Sequence, residues 1–313
     1  MSKPPFLGLP PTVRARRLPT ARGEFAVLEA GEPAAGTALL LPGFTGSKED
    51  FLALLAPLAG MGYRTVAVDG RGQYETGGPR EESAYAQPEL ARDVLALAAA
   101  LREGGDGRDG TDGDASGEPP VDPVDRVHLL GHSLGGLVAR AAVLLDASPF
   151  ASLTLMSSGP AAVSTVQQRR LKMLLGALGV MEMAEIWRAM CELDPAEAAD
   201  EDTPPHVAEF LRRRWIRHVP EQLAATGKQL LDEPDRIDAL ATVLRDRAEP
   251  LPVHVISGSV DYAWPVRLLD ETAVRLGAAR TVVADAGHSP NAERPEETAR
   301  ALASFWSGDL PGK

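Results

Sequence analysis

The chain has almost no cysteine: Cys191 is the only one among 313 residues. One thiol can form no intramolecular disulfide, and it gives no indication of a cysteine-ligated metal site. Structural disulfides belong to oxidising compartments. We therefore expect a cytoplasmic protein without a disulfide framework.

Long apolar runs are missing too. Residues 1–17 lack the continuous apolar stretch and small-residue cleavage site of a secretory signal. No later segment reaches the roughly 18 apolar residues that a membrane-spanning helix needs. The sequence predicts no stable membrane insertion.

Positive charge is scarce, since 32 Lys and Arg residues stand against 44 Asp and Glu, a formal net charge of -12. This balance disfavours binding to the phosphate backbone of a nucleic acid. Hydrophobic residues at 44% and charged residues at 24% are ordinary for a globular domain. We expect a folded protein whose partner is a small, neutral or cationic molecule.

Short runs rich in Val and Leu alternate with amphipathic helical stretches, which is typical of an α/β fold with helices on both faces of a parallel sheet. An antiparallel edge strand is expected over 13–18. The predicted strands cover 25–29, 37–41, 64–69, 126–130, 152–157, 253–257 and 280–284, and the predicted crossover helices cover 49–59, 89–101, 134–145, 266–276 and 296–306.

Two segments interrupt this alternation. Residues 104–123 are rich in Gly, Asp and Pro with almost no apolar side chains, which predicts a solvated, mobile loop. Residues 160–247 have helical periodicity and no convincing strand, which predicts a helical cap inserted into a core of residues 1–159 and 248–313. The methionines of the cap either pack within it or line an acyl pocket; they are Met173, Met181, Met183 and Met190.

A candidate nucleophile lies in Gly131-His132-Ser133-Leu134-Gly135, between a predicted strand and a predicted helix. This is the context that the G-x-S-x-G pattern requires, because the tight turn pushes the serine out at the edge of the sheet. Side chains at Gly131 and Gly135 would collide with neighbouring elements. The pattern predicts Ser133 as a nucleophile, although a serine here could also merely cap the helix.

A serine hydroxyl needs a base, and the base needs a third group to orient it. Asp261 follows one predicted strand and His288 follows the last, so the chain order is Ser, Asp, His. Asp285, beside the last strand, is the alternative carboxylate. The other histidines lie in strand patterns, the elbow or the cap: His128, His132, His206, His218 and His254.

Acyl transfer also requires donors for the negative charge that develops on the substrate oxygen. One candidate is the amide of Leu134, and the other is the amide of Phe44 in the loop LLLPGFTGSKEDF. Thr45 could add a hydroxyl, or Thr45 to Ser47 could serve only as the cap of the next helix.

With these motifs the chain resembles the α/β-hydrolase superfamily over nearly its whole length, and in particular its esterase and monoacylglycerol-lipase-like serine hydrolases. The resemblance implies a mostly parallel, eight-stranded sheet, a triad of Ser133, Asp261 and His288, a cap that selects the substrate, and no metal or organic cofactor. Because the nucleophile is serine, it argues against the haloalkane dehalogenase and epoxide hydrolase branches, which use aspartate.

One loop departs from the superfamily pattern. VAVDGRGQYETGGP resembles the Asp-x-Arg-Gly-His-Gly loop, but Gln73 and Tyr74 replace the usual His and Gly, and either could reach the substrate. Pro42-Gly43 likewise stands where many relatives carry His-Gly. The side chains expected to contact the substrate are Thr45, Tyr74, Met173, Trp187 and Trp264.

The expected reaction is hydrolysis of a carboxylic ester or thioester of a small to medium apolar substrate through an acyl-enzyme. The alternatives on the same triad are a slow-turnover ligand sensor, a cofactor-free haloperoxidase or perhydrolase, and a hydrolase of carbon–carbon bonds. A basic cluster in the cap either forms a solvated helix face or contacts an anionic head group; its members are Arg212, Arg213, Arg214 and Arg217.

Overall fold

A computed structural model describes residues 1–103, 126–194, 198–199 and 201–309 of the protein. The predicted mobile loop at 104–123 lies outside the described residues. Within the described part of the chain, no helix is both long and apolar enough to span a membrane.

One sheet of eight strands forms in the described residues. Every residue of the third, fifth and seventh strands is buried, as expected for parallel strands that are covered on both faces. The strands are β1 Val13–Thr20, β2 Gly23–Ala30, β3 Gly36–Leu41, β4 Tyr63–Val68, β5 Val127–His132, β6 Phe150–Met156, β7 Val253–Gly258 and β8 Ala279–Val283.

The strand order across the sheet is β1-β2-β4-β3-β5-β6-β7-β8. Strand β1 pairs antiparallel with β2, and β2 antiparallel with β4, whereas the remaining neighbours are parallel. The predicted antiparallel edge strand and the mostly parallel, eight-stranded sheet are thus confirmed.

Helices connect the parallel strands and bury both faces of the sheet. α1 and α11 contact each other and contribute to the core on one face, whereas α2 and α3 do so on the other. The helices are α1 Leu52–Gly60, α2 Gln87–Glu103, α3 Leu134–Leu145, α4 Thr165–Leu178, α5 Met183–Leu193, α6 Pro205–Arg217, α7 Pro220–Asp232, α8 Ile237–Asp246, α9 Val266–Leu276, α10 Pro290–Glu293 and α11 Pro295–Trp306, with 3-10 helices at Lys48–Phe51 and Glu82–Tyr85.

Helices α4 to α8 form the insertion between β6 and β7. α4 contacts α5 and α7, and α5 contacts α6, so these four helices pack together. α8 instead contacts α3 and α9, and its Leu240 is fully buried in the core of the sheet. The last helix of the predicted cap segment therefore lies against the core.

The carboxyl ends of the parallel strands meet at one edge of the sheet. The segments that leave β3, β5, β7 and β8 at this edge begin at residues 42, 133, 259 and 284. In open α/β sheets this edge is where ligands bind. The four segments carry every predicted catalytic residue.

Candidate active site

Ser133 lies in the turn between β5 and α3 with a strained backbone. Its φ of 54° and ψ of -119° fall in a region of backbone conformation that residues other than glycine rarely adopt. The amide of Ser133 donates to the carbonyl of Met156 at 2.9 Å, which fastens the turn to the end of β6. The side chain thereby reaches a cavity at the edge of the sheet.

Glycines on both sides of Ser133 permit this turn. A Cβ at Gly131 would overlap the backbone of Gly135, and a Cβ at Gly135 would lie 2.5 Å from the carbonyl oxygen of Leu41. No side chain fits at such distances, so the turn depends on both glycines.

His288 faces the same cavity from the loop after β8. Its Nδ1 lies 3.0 Å from Oδ1 and 2.9 Å from Oδ2 of Asp261, in the loop after β7. A carboxylate only accepts, so Nδ1 carries the proton and Nε2 is the basic nitrogen of the ring. Oδ1 of Asp261 also accepts the amides of Ala263 and Trp264, at 2.8 and 3.0 Å, which hold the carboxylate in place.

Asp285, the alternative carboxylate, is exposed to solvent. Of the two aspartates, Asp261 is therefore the one that the structure brings to His288.

Two residues that the sequence did not single out as functional brace the loop of His288. The carboxylate of Glu293 accepts the amides of Gly287 and Ser289, at 2.6 and 3.0 Å, on either side of the histidine. His132 donates through Nε2 to the carbonyl of His288 at 2.9 Å. Burial, helped by the nearby His288, lowers the pKa of His132 to about 3, so this ring is neutral near pH 7.

Leu134 and Phe44 are the two residues predicted to donate to the oxyanion. Leu134 is the first residue of α3, where amides have no partner within the helix. Gly43 and Phe44 line the cavity with Ser133, and a Cβ at Gly43 would lie 3.3 Å from the Cβ of Ser133. The structure thus places Leu134 next to Ser133 along the chain and Phe44 in the lining of the cavity that Ser133 reaches.

Two adjoining cavities lie between the sheet edge and the inserted helices. The first, here named the site cavity, measures about 100 Å³ and is lined by Ser133 and His288. The second, the cap cavity, measures about 230 Å³ and lies mainly among α4, α5 and α6. The residues that line both are Met1, Phe44, Thr45, Gln167 and Leu171.

The predicted substrate contacts divide into two groups. Thr45 lines both cavities, and Met173 lines the cap cavity. Tyr74, Trp187 and Trp264 line neither of these two cavities.

Each of these three aromatic side chains packs elsewhere. The ring of Tyr74 packs edge-on against Phe210 of α6, with a centroid separation of 5.7 Å. Trp187 is buried in the core of the insertion. Trp264 is fully buried and donates through Nε1 to the carbonyl of Ala161 at 2.8 Å.

The basic cluster of α6 does not form one surface. Arg214 is completely buried, Arg213 donates to the hydroxyl of Tyr74 at 3.3 Å, and Arg212 pairs with Glu209 at 3.3 Å. The guanidinium of Arg217 lies 5.3 Å from the centre of the Tyr74 ring. The four arginines therefore meet different partners, and one of them is a core residue.

Comparisons with known proteins find likenesses of sequence and of fold. The model of the alpha/beta hydrolase family matches residues 38–301. A protein of Variovorax paradoxus (strain S110) named as a carbamate hydrolase, RutD, is 32% identical over 127 residues; the match covers 40% of this chain and only 40% of that protein.

Two solved structures share the fold over almost the whole chain. A hydrolase from Pseudomonas aeruginosa PA01 has a TM-score of 0.69 at 23% identity, covering 93% of this chain and 98% of its own. A thermophilic esterase from Thermogutta terrifontis, with malate bound, also has a TM-score of 0.69, at 20% identity, covering 95% and 100%. At these identities the likeness extends to the fold alone.

Proposed function

Because the chain belongs to the α/β-hydrolase family, we propose that it is a serine hydrolase that cleaves a carboxylic ester or thioester of a small to medium apolar substrate. One observation carries the proposal. Asp261 engages Nδ1 of His288, while the histidine shares a cavity with Ser133, a serine in a strained turn. Nucleophile, base and orienting carboxylate are the three parts that acyl transfer through serine requires.

The mechanism follows from these positions. Ser133 Oγ attacks the carbonyl carbon of the substrate, and Nε2 of His288 takes the hydroxyl proton. The amides of Phe44 and Leu134 stabilise the oxyanion. His288 then gives the proton to the leaving alcohol, or thiol, as the acyl-enzyme forms. Water attacks the acyl-enzyme with His288 again as base, and Asp261 stays ionised throughout.

The cap cavity supports the proposal that an apolar acyl or alcohol group of the substrate determines specificity. It adjoins the site cavity through Phe44 and Thr45, so one substrate can occupy both spaces. Apolar pockets with few polar groups are typical of small-molecule sites. The apolar side chains that line the cap cavity include Leu174, Ala177, Met181, Ile186 and Met190.

The test is hydrolysis of p-nitrophenyl esters from acetate to palmitate, with a p-nitrophenyl carbamate in the same panel. We expect steady turnover by the wild type, loss of turnover in Ser133→Ala, and wild-type rates in Ser148→Ala. Ser148 is an exposed serine beyond the opposite end of α3 from Ser133. Fluorophosphonate labelling should follow the same pattern.

Labelling or turnover that persists in Ser133→Ala would contradict the proposal. A single stoichiometric burst with no steady phase would favour a ligand sensor over an enzyme. Preference for the carbamate over every ester would mean that the substrate is a carbamate, cleaved by the same triad.

A further inference from the structure

We propose that Gln73 is a positioning residue for the oxyanion donor: it holds the peptide group between Gly43 and Phe44 so that the Phe44 amide faces the site cavity. The inference rests on the proposed function, because an oxyanion donor matters only in acyl transfer. Gln73 follows β4, and its side chain is only 5% exposed. The position is one where the chain departs from the superfamily pattern.

The contact is a hydrogen bond to the peptide that carries the donor. Nε2 of Gln73 donates to the carbonyl oxygen of Gly43 at 2.8 Å. That carbonyl and the Phe44 N–H belong to one planar, trans peptide group, so they point in opposite directions. Whatever fixes the carbonyl therefore also fixes the direction of the N–H.

The orientation of the Gln73 amide is determined by its second partner. The backbone N–H of Gly70 donates to Oε1 of Gln73 at 2.9 Å. An N–H can only donate and a carbonyl can only accept, so Oε1 must face Gly70 and Nε2 must face Gly43. A Cβ at Gly70 would lie 2.7 Å from Oε1, so the glycine makes room for this close approach.

The backbone around Gln73 is also fixed. Its amide donates to the carbonyl of Gly70 at 2.9 Å, and its carbonyl accepts the amide of Thr76 at 2.8 Å. Thr76 in turn accepts the amide of Ala26 in β2 through its hydroxyl at 2.9 Å. The segment that carries the Gln73 side chain is thus itself hydrogen-bonded to the sheet.

Polarisation adds to orientation. A hydrogen bond accepted by a peptide carbonyl strengthens the N–H of the same group as a donor, and the effect is larger away from water. The bond from Gln73 should therefore stabilise the transition state more than the bound substrate, so its loss should lower kcat and leave KM nearly unchanged.

The first experiment replaces Gln73 by leucine and measures hydrolysis of p-nitrophenyl butyrate. Removal of a whole oxyanion donor lowers kcat by about 10²- to 10³-fold. In this variant the Gly43 carbonyl keeps only the longer bond from the Gly46 amide, at 3.2 Å. We therefore expect kcat to fall by about ten- to a hundredfold, with KM within about threefold. The Ki of a trifluoromethyl ketone, which binds as an oxyanion, should rise by the same factor as kcat falls.

Gln222→Leu is the matched control. Gln222 is also a buried glutamine near this loop, but its Nε2 donates to the hydroxyl of Thr226 at 3.2 Å, within α7. The same amide-to-leucine change there should leave kcat within about twofold of the wild type if only the bond to Gly43 matters.

Gln73→Glu gives a pH readout that a merely structural role would not produce. A protonated glutamic acid has the shape of glutamine and can donate to the Gly43 carbonyl while accepting from Gly70. The ionised form has no donor and repels the carbonyl oxygen. The ratio of kcat in Gln73→Glu to kcat in the wild type should therefore rise as pH falls from about 8 to 5.

The outcomes separate this inference from the proposed function. A folded Gln73→Leu with wild-type kcat, or a Gln73→Glu ratio independent of pH, would overturn the role of Gln73 while ester hydrolysis stands. A wild type that reacts with fluorophosphonate but hydrolyses no ester would remove the proposed substrate class, and the same variants would then be compared by phosphonylation rate. Absence of both reactions would remove both proposals.

Discussion

Arg214 and Asp50 form an ion pair of 2.6 Å in which both side chains are shielded from solvent. Arg214 belongs to α6 of the insertion, and Asp50 to the 3-10 helix that follows the loop after β3. The second guanidinium nitrogen of Arg214 donates to the carbonyl of Ser2 at 2.9 Å. The pair thus joins the insertion to the core beside the site cavity, which Asp50 lines.

Removal of one partner should cost far more than removal of both. Arg214→Met leaves the carboxylate of Asp50 buried without its counter-ion, and we expect the free energy of unfolding to fall by about 3–5 kcal/mol. The double variant Arg214→Met/Asp50→Asn should recover part of this loss, because no buried charge remains. Urea unfolding of the two single variants and the double variant measures the coupling.

Arg212→Met is the control for this pair. Arg212 lies on the same helix but is paired with Glu209 in solvent, so its loss should change the free energy of unfolding by no more than about 0.5 kcal/mol. Equal effects of Arg212→Met and Arg214→Met would show that the buried pair does not stabilise the folded protein more than an exposed one.

Replacement of Ser133 by glycine should relieve strain in the backbone of this turn. At a φ of 54° and ψ of -119°, backbone strain in a residue with a Cβ costs about 1–3 kcal/mol. Glycine avoids this strain, but it also makes the unfolded chain more flexible, which offsets part of the gain in stability. We expect Ser133→Gly to be more stable than Ser133→Ala by about 1 kcal/mol, although both are inactive. Thermal and urea unfolding of the two variants compare them directly, and equal stability would contradict strain at this turn.

The elements of the core could be predicted because each carries a local signal. The helices predicted over 134–145 and 266–276 have those bounds in the structure, and most strands differ by one or two residues at their ends. Parallel strands that are buried on both faces appear in the sequence as short apolar runs, and such a run can be recognised without knowing which strands lie beside it.

The residues that brace the site could not be found in this way. Gln73 reaches Gly43 across 30 positions of the chain, and His132 reaches the loop of His288 across 156. Glu293 stands only a few positions after His288, but an acidic residue in a four-residue helix is too common a signal to indicate a function. Such contacts follow from the fold, so local sequence does not reveal them.

The direction of a side chain is likewise not given by the local sequence. A helical pattern gives the period of the apolar residues, but not whether an apolar side chain faces a cavity or the core of the insertion. Met173 and Trp187 are both apolar residues of inserted helices, yet only Met173 lines the cap cavity. The same limit applies to α6, where consecutive arginines are exposed at Arg212 and buried at Arg214.

Stability should fall as the solution becomes acidic, because burial lowers the pKa of four histidines. Burial lowers the pKa of His132 to about 3 and that of the other three to about 4, whereas an unfolded histidine titrates near 6.5. Below about pH 6.5 the unfolded chain therefore binds more protons, and stability falls with pH until about pH 4. The four are His128, His132, His218 and His254.

Within this window each such histidine contributes about 1.4 kcal/mol per pH unit to the slope of the free energy of unfolding against pH. His128→Gln should therefore reduce the measured slope by about that amount between pH 6 and 5, while His206→Gln, at an exposed position, should leave it unchanged. Urea unfolding at several pH values measures the slopes, and identical slopes for the two variants would argue against His128 as a source of acid sensitivity.

The cap cavity should set the longest acyl chain that the protein accepts. Ala177 of α4 lines this cavity, so Ala177→Phe would fill part of it. If the ring excludes two or three methylenes, at about 0.8 kcal/mol each, kcat/KM for a dodecanoate ester should fall by about ten- to fiftyfold, whereas acetate should be unaffected. The comparison uses p-nitrophenyl esters from acetate to palmitate at saturating and limiting concentrations.

Val166→Phe provides the matched control, since Val166 also lies on α4 but is half exposed and lines neither cavity. It adds a phenyl ring of the same size to the same helix, so any general disturbance of α4 should appear in both variants. A loss of long-chain activity confined to Ala177→Phe would assign the acyl group to the cap cavity. Equal loss in both variants, or loss of acetate hydrolysis in Ala177→Phe, would instead mean that α4 shapes the triad and that the chain occupies another space.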